Sequence, residues 1–224
     1  MNRKKSLAGI MVFFMIFGMA CVSSAALVTI GTATYDDGSG AQNYNLIYDA
    51  DAPLGPIVWL DYTHAATNWW EQDAWPAGLS GQLSINTPGY TVTWTAGETW
   101  RLPNTGTNPG AGYNQTGSEM GHLWYDEFLF SQGDAPTADD LNATNFDNLV
   151  VFPYWSGPEY AKSSDYAFEF SMSAGHQGLN SKDGVFYGLA VRRGEVSAVP
   201  IPGALYLFSS GLMCLVSFRR RKKA

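Results

Sequence analysis

Two apolar segments, one at each end, constrain this 224-residue chain most, because neither belongs to whatever globular body folds between them. The first 26 residues run from Arg3, Lys4 and Lys5 through an apolar stretch, Leu7 to Met19, to the small residues Ser23, Ser24, Ala25 and Ala26. That order of charge, apolar core and small residues is the pattern of a secretory signal, with cleavage expected between Ala26 and Leu27. Its apolar core of about thirteen residues falls short of the roughly 20 that span a bilayer, which argues against a permanent anchor. At the other end, an apolar stretch from Ala204 to Phe218 stops at Arg219, Arg220, Arg221, Lys222 and Lys223. Its helix would reach only about 22 Å, a marginal transmembrane length. The cationic stop assigns that end to the cytoplasm. The expected organisation is a signal peptide over 1–26, an extracytoplasmic body over 27–196, and a sorting and membrane segment over 197–224.

Setting the ends aside changes the chemistry of what is left. Cys21 and Cys214 both lie in them, so the body has no disulfide framework, thiol nucleophile or thiolate metal site. All twenty Asp and Glu fall between Asp36 and Glu195, against Arg101, Lys162, Lys182, Arg192 and Arg193, so the body stands near minus fifteen. A surface so acidic repels phosphate backbones, which sets nucleic acid aside as a partner. About 170 residues bury a sufficient core for one domain.

Val199-Pro200-Ile201-Pro202, followed by a short apolar helix with Ser209, Ser210 and Gly211 and by the basic end, resembles the PEP-CTERM sorting signals. Ile201-Pro202 stands where the commonest form has Glu-Pro, matching the Val-Pro-x-Pro variant. The resemblance implies an exosortase-type processing enzyme as partner and transient anchoring in the inner membrane through the C-terminal helix. Residence at the cell surface or outside it would follow.

Within the body, Leu27 to Gly40 reads as an edge strand, and Leu46–Tyr48 and Ile57–Leu60 as paired strands around an Asp-, Pro- and Gly-rich turn. Trp69, Trp70, Trp75 and Leu79 suit a helix that Pro76 divides into two pieces. Tyr90–Trp94 alternates as a strand. Thr116-Gly117-Ser118-Glu119 predicts a helix start with Thr116 as its cap and Glu119 reaching back to the cap amide. Behind it Met120, Leu123, Trp124 and Phe128 form one apolar face that should pack on a sheet. Val150–Phe152, Tyr166–Phe170 and Val185–Val191 read as strands, with turns over 156–164 and 175–184. The fold class expected from these elements is α+β, with short antiparallel strands and one or two helices.

Three stretches carry a second resemblance: Trp100-Arg101-Leu102-Pro103, the helix from Gly117 to Leu123 with Glu119 and His122, and Tyr154-Trp155-Ser156-Gly157-Pro158-Glu159-Tyr160, closed by Val191-Arg192. They are similar to the Lcl C-terminal domain family over roughly residues 45 to 194. The resemblance implies a C-type-lectin-like domain of the kind shared with formylglycine-generating enzymes. The cysteine chemistry of those enzymes does not transfer to a body without cysteine. Relatives adhere to polymers such as glycosaminoglycans, but the basic surface that polyanions require is missing here.

Side-chain chemistry narrows the function further. Arg101 in an apolar turn is expected to tie loops together through carboxylates or carbonyls. Glu119 and His122 sit at a metal-ligating spacing, yet no second such pair faces them in the sequence, so no metal is assigned. His64 and His176 lie in loop-like surroundings without a nucleophile motif. Asp134, Asp139, Asp140, Asn142, Asn145, Asp147 and Asn148 offer calcium ligands, but their spacing departs from an EF-hand loop and suits a solvated turn region better. Eight tryptophans and twelve tyrosines exceed what the core requires, and exposed rings stack on sugars. Trp155, Glu159 and Tyr160 are the ligand-binding candidates. The expectation is a non-catalytic, exported surface or matrix protein associating with extracellular polysaccharide. The alternatives are a carbohydrate-active enzyme using a carboxylate pair and a purely structural envelope protein.

Overall fold

A computed structural model of the chain describes residues 27–143 and 145–199. Both terminal segments, with Ala26 and the Pro200-Ile201-Pro202 part of the sorting motif, lie outside the described residues. Within those residues no helix is long and apolar enough to cross a membrane.

The body is sheet-rich with few helices, of the expected α+β class. Its strands are β1 (Val28–Tyr35), β2 (Gln42–Asp49), β3 (Ile57–Thr67), β4 (Ser84–Asn86), β5 (Tyr90–Trp94), β6 (Pro153–Glu159), β7 (Tyr166–Ser171), β8 (His176–Ser181) and β9 (Phe186–Ala198). They hydrogen-bond in the order β4-β1-β2-β3-β9-β6-β7-β8, with β5 paired to the far end of β9. Pairing is antiparallel except where β9 meets β6 at Tyr187 and Tyr154. β9 is the hub: it pairs with β3 through Ile57↔Arg193 to Leu60↔Ala190, then with β5 through Trp94↔Gly194 to Tyr90↔Ala198. The strand thus runs past the expected domain limit at residue 196, and the Val199 amide donates to the Gly89 carbonyl at 2.9 Å.

Alternation explains why β2, β3 and β9 carry near-continuous apolar runs. Successive side chains point to opposite faces, and both faces of this part of the sheet are covered. Ile47, Ile57, Trp59, Leu189 and Val191 face one core, shared with Met120, Leu123, Trp124, Phe128, Phe146 and Phe170. Leu46, Val58, Leu60 and Ala190 face the other, shared with Ile30, Ala33, Tyr62, Leu79 and Trp100.

Helix α1 (Trp69–Gln82) runs unbroken through Pro76, where the sequence predicts two pieces. Tertiary anchoring offsets the lost backbone bond: Asn68 caps the start by accepting from the Glu71 amide. Gln72 donates to the Ala65 and Phe186 carbonyls, and Trp69, Pro76 and Leu79 are buried. β1 is interior, held by β2 and β4, so the edge falls on β4 instead. Val150–Phe152 is irregular, and the strand begins at Pro153 and extends through the expected turn to Glu159. His176–Ser181, expected as a turn, forms β8 through a full antiparallel ladder with β7. His64 likewise lies in β3 rather than in a loop.

The second helix is short. α2 (Glu119–His122) passes directly into a wide π-type turn, Leu123–Glu127. Its cap is Ser118, whose Oγ accepts from the Gly121 amide at 3.0 Å, and not Thr116. At Gly121 a β-carbon would sit 2.0 Å from the Gln115 carbonyl oxygen, so the approach of the preceding loop requires glycine there. The expected apolar face is realised, with Met120, Leu123, Trp124 and Phe128 all buried against the sheet.

Candidate functional site

The three stretches beginning at Trp100, Gly117 and Tyr154 and the closing Val191-Arg192 pair, up to about ninety positions apart in sequence, meet in space. Arg101 exchanges two backbone bonds with Val191 at 3.0 and 2.9 Å, so the Trp-Arg-Leu-Pro turn extends the sheet beside β9. Its guanidinium then grips Glu119 with Nη1 on Oε2 and Nη2 on Oε1, each at 2.7 Å, and Nη1 also reaches the Leu102 carbonyl. The Glu119 side chain is wholly buried. It accepts from the Asn104 amide as well, rather than reaching back to its own cap. The Gly157 amide donates to the Pro103 carbonyl at 2.9 Å, which fixes β6 to the same turn. Trp100, Leu102 and Pro103 are buried, and the Arg192 guanidinium lies over the Trp94 ring at 4.6 Å. Arg101 therefore ties the turn to β9 and to the start of α2.

This clamp sets the position of a cleft of about 440 Å³ at the end of β6. Glu159, Tyr160, Ala161 and Lys162 form one wall, Phe168 and Leu179 the floor, and Pro109, Gly110 and Ala111 the opposite lip. Gln177 holds that lip by donating to the Gly110 carbonyl, and its backbone pairs with Gly112. Tyr160 meets Phe168 edge to face at 6.0 Å. Glu159 is half exposed and paired with Lys182 at 2.8 Å. Lys182 is itself buried and sits 4.2 Å over the Trp69 ring.

Two of the three ligand-binding candidates, Glu159 and Tyr160, thus share the cleft. Trp155 does not join them. Its ring is fully buried beside Phe186, with the indole N–H donated to the Thr67 carbonyl, because both faces of β6 are covered over Tyr154 to Ser156. Exposed rings are found elsewhere, on Trp70, Tyr113, Phe152 and Tyr166.

His122 meets four carboxylates, Asp126 and Glu127 from the turn that follows it and Asp49 and Asp51 from the end of β2 and the turn beyond it. Its Nδ1 is 3.1 Å from Asp126 Oδ2, while Nε2 faces Asp49 Oδ1 and Glu127 Oε1 at 3.5 Å and Asp51 Oδ1 at 3.7 Å. Burial works against the charged imidazole, but Asp49 and then Asp126 outweigh it and hold the pKa up at about 9. Glu127 is raised, chiefly by burial and next by Asp49. Asp49 and Asp51 precede His122 by some seventy positions, so no local motif announces this group.

The oxygen-rich segment is built differently from an ion-binding loop. Thr137 and Asp140 form a reciprocal capping box at the start of a short helix, α3 (Ala138–Leu141). The Asp147 and Asn148 amides donate to the buried Asp61 carboxylate. Burial pushes Asp61 up to about 6, against those hydrogen bonds. No family model, curated protein or solved structure matches the chain.

Proposed function

We propose that the chain is exported, sorted by an exosortase-type enzyme after transient anchoring in the inner membrane, and retained at the cell surface or matrix. There it binds extracellular polysaccharide without transforming it. One observation carries this reading: the cleft that unites Glu159 and Tyr160. Its apolar floor, the half-buried Tyr160 ring and the polar groups at its rim match what a pyranose offers, an apolar face edged by hydroxyls. The acidic body favours a neutral or amino-substituted glycan over a polyanion. Glu159 is already engaged by Lys182, which favours a binding surface over hydrolysis by two carboxylates set about 5–10 Å apart across a bond. The Lcl-type, C-type-lectin-like assignment draws support from the contact of its motif stretches through Arg101, Glu119, Gly157 and Val191. The sorting assignment rests on Val199 to Pro202 and the basic end.

Affinity electrophoresis of the purified protein through neutral and amino-sugar polysaccharides tests the reading. Retardation is expected, and Tyr160→Ala should weaken it roughly threefold to tenfold, the share of one aromatic contact. Trp70→Ala, at an exposed ring outside the cleft lining, should leave it unchanged. Equal loss from both substitutions, or no retardation by any glycan, would remove the cleft as a binding site.

A further inference from the structure

Four side chains from well-separated parts of the sequence converge where the β2–β3 turn meets the end of α2 and its π-type turn. Asp49, Asp51, His122 and Glu127 each offer one ligand atom, and all four atoms lie within 4.8 Å of one another. Asp49 is fully buried and His122 more than nine-tenths so. Asp49 Oδ1, His122 Nε2 and Glu127 Oε1 are buried atoms with no hydrogen-bond partner.

The remaining atoms of those same groups are held. Asp49 Oδ2 accepts from the Trp59 indole N–H at 3.2 Å, Glu127 Oε2 accepts from the Leu27 amide at 3.2 Å, and His122 Nδ1 contacts Asp126. Each ligand is thus oriented through its far atom while its near atom points inward, the arrangement that outer-shell partners impose on metal ligands. A proton on Nε2 does not satisfy the group. It points along one direction only, and 3.5 Å is longer than an N–H···O bond. Two buried carboxylate oxygens, Asp49 Oδ1 and Glu127 Oε1, would share a single N–H at 3.5 Å, at a cost that a divalent cation removes.

We infer that Asp49, Asp51, His122 and Glu127 form a binding site for a divalent transition ion of the zinc type. An imidazole nitrogen at the centre of the set disfavours calcium, which takes six to eight oxygens, and suits zinc. The size agrees. Bonds of about 2.0–2.1 Å in tetrahedral geometry separate neighbouring ligand atoms by about 3.4 Å, close to the 3.5, 3.5 and 3.7 Å from His122 Nε2 to its three carboxylates. Asp51, on the exposed side, supplies the entry. The ion cross-links the β2–β3 turn to the α2 segment and, through Glu127, holds the Leu27 amide at the start of the body.

The test uses the full chain in detergent, stripped with a chelator and titrated calorimetrically with zinc chloride, then with calcium and magnesium chloride. One zinc per chain is expected, with calcium and magnesium far weaker, and the cobalt-substituted protein should show the visible absorption of a tetrahedral site. Asp49→Asn combined with His122→Gln should lower zinc affinity more than 100-fold, beyond the 10–100-fold carried by outer-shell partners. Asp51→Asn, at the exposed rim, keeps the buried groups intact and should cost at least about tenfold, which preserves the test if the double variant does not fold. Zinc should also raise the melting temperature of the parent and not of the Asp51→Asn protein at the same limiting concentration. Zinc affinity unchanged in Asp51→Asn, tighter binding of calcium than zinc, or an octahedral cobalt spectrum would each overturn the assignment.

Discussion

Arg101→Ala is expected to lower the free energy of unfolding by about 3–5 kcal/mol, the loss seen when one partner of a buried ion pair is removed. The guanidinium gives two charge-assisted bonds of 2.7 Å to a carboxylate with no solvent exposure, and its own side chain is 28% exposed. Without it, Glu119 keeps the Asn104 amide as a donor but loses the cation that faces its buried carboxylate. Glu119→Gln leaves an oxygen for Asn104 and one contact for Arg101, so it should cost distinctly less. Equilibrium denaturant unfolding of the three proteins measures both differences. An Arg101→Ala protein within about 1 kcal/mol of its parent would put the pair on the footing of a surface ion pair. The loss should extend to the cleft, because the turn that Arg101 braces also holds Gly157, two residues before Glu159.

How much of this was legible in the sequence depends on how far apart the interacting residues lie. The continuous apolar run Ile57–Leu60 and the alternation of Tyr90–Trp94 identify strands, and the face formed by Met120, Leu123, Trp124 and Phe128 is visible from spacing alone. Arg101 could be read as a tie because a guanidinium among apolar neighbours needs a carboxylate or carbonyl, although its partner was not specified. Glu119 was misassigned for the same reason: a glutamate at a helix start has a local use, and the non-local use won. β8 was invisible because His-Gln-Gly-Leu-Asn-Ser lacks apolar alternation, so its pairing with β7 and the Gln177 bond to Gly110 decide its conformation. Trp155 shows the limit for aromatic residues. Composition counts rings, but only the packing on both faces of β6 decides which of them the core takes. The Asp49–Asp51–His122–Glu127 group is the extreme case, since two of its members reach the others only after β2, β3 and α2 have packed.

Glu169→Gln is expected to stabilise the protein by about 3 kcal/mol at pH 8 and to change little below pH 4.5. Glu169 lies on β7 opposite Gly178, where a β-carbon would meet its Oε1 at 2.0 Å, so the missing side chain leaves room for the carboxyl group. It is 7% exposed, and its Oε2 has no hydrogen-bond partner. Burial alone pushes its pKa from 4.5 up to about 7. The folded protein therefore binds this proton more tightly than the unfolded chain does, and between these two values it holds more protons. Stability must fall as pH rises through that window and then level off above about pH 7, where the folded state keeps a desolvated charge. A shift of this size corresponds to about 3 kcal/mol at 1.36 kcal/mol per unit. Glutamine has the same shape and no charge, so it removes the penalty where glutamate is ionised. For a body of this length the gain is roughly 5–10 °C in melting temperature at pH 8. Melting curves of parent and variant from pH 4 to pH 8 should start together and separate progressively between pH 5 and 7. Parallel curves with a constant offset would mean that the effect is packing and not charge, and a variant less stable at pH 8 would mean that the carboxylate is better solvated than its burial implies.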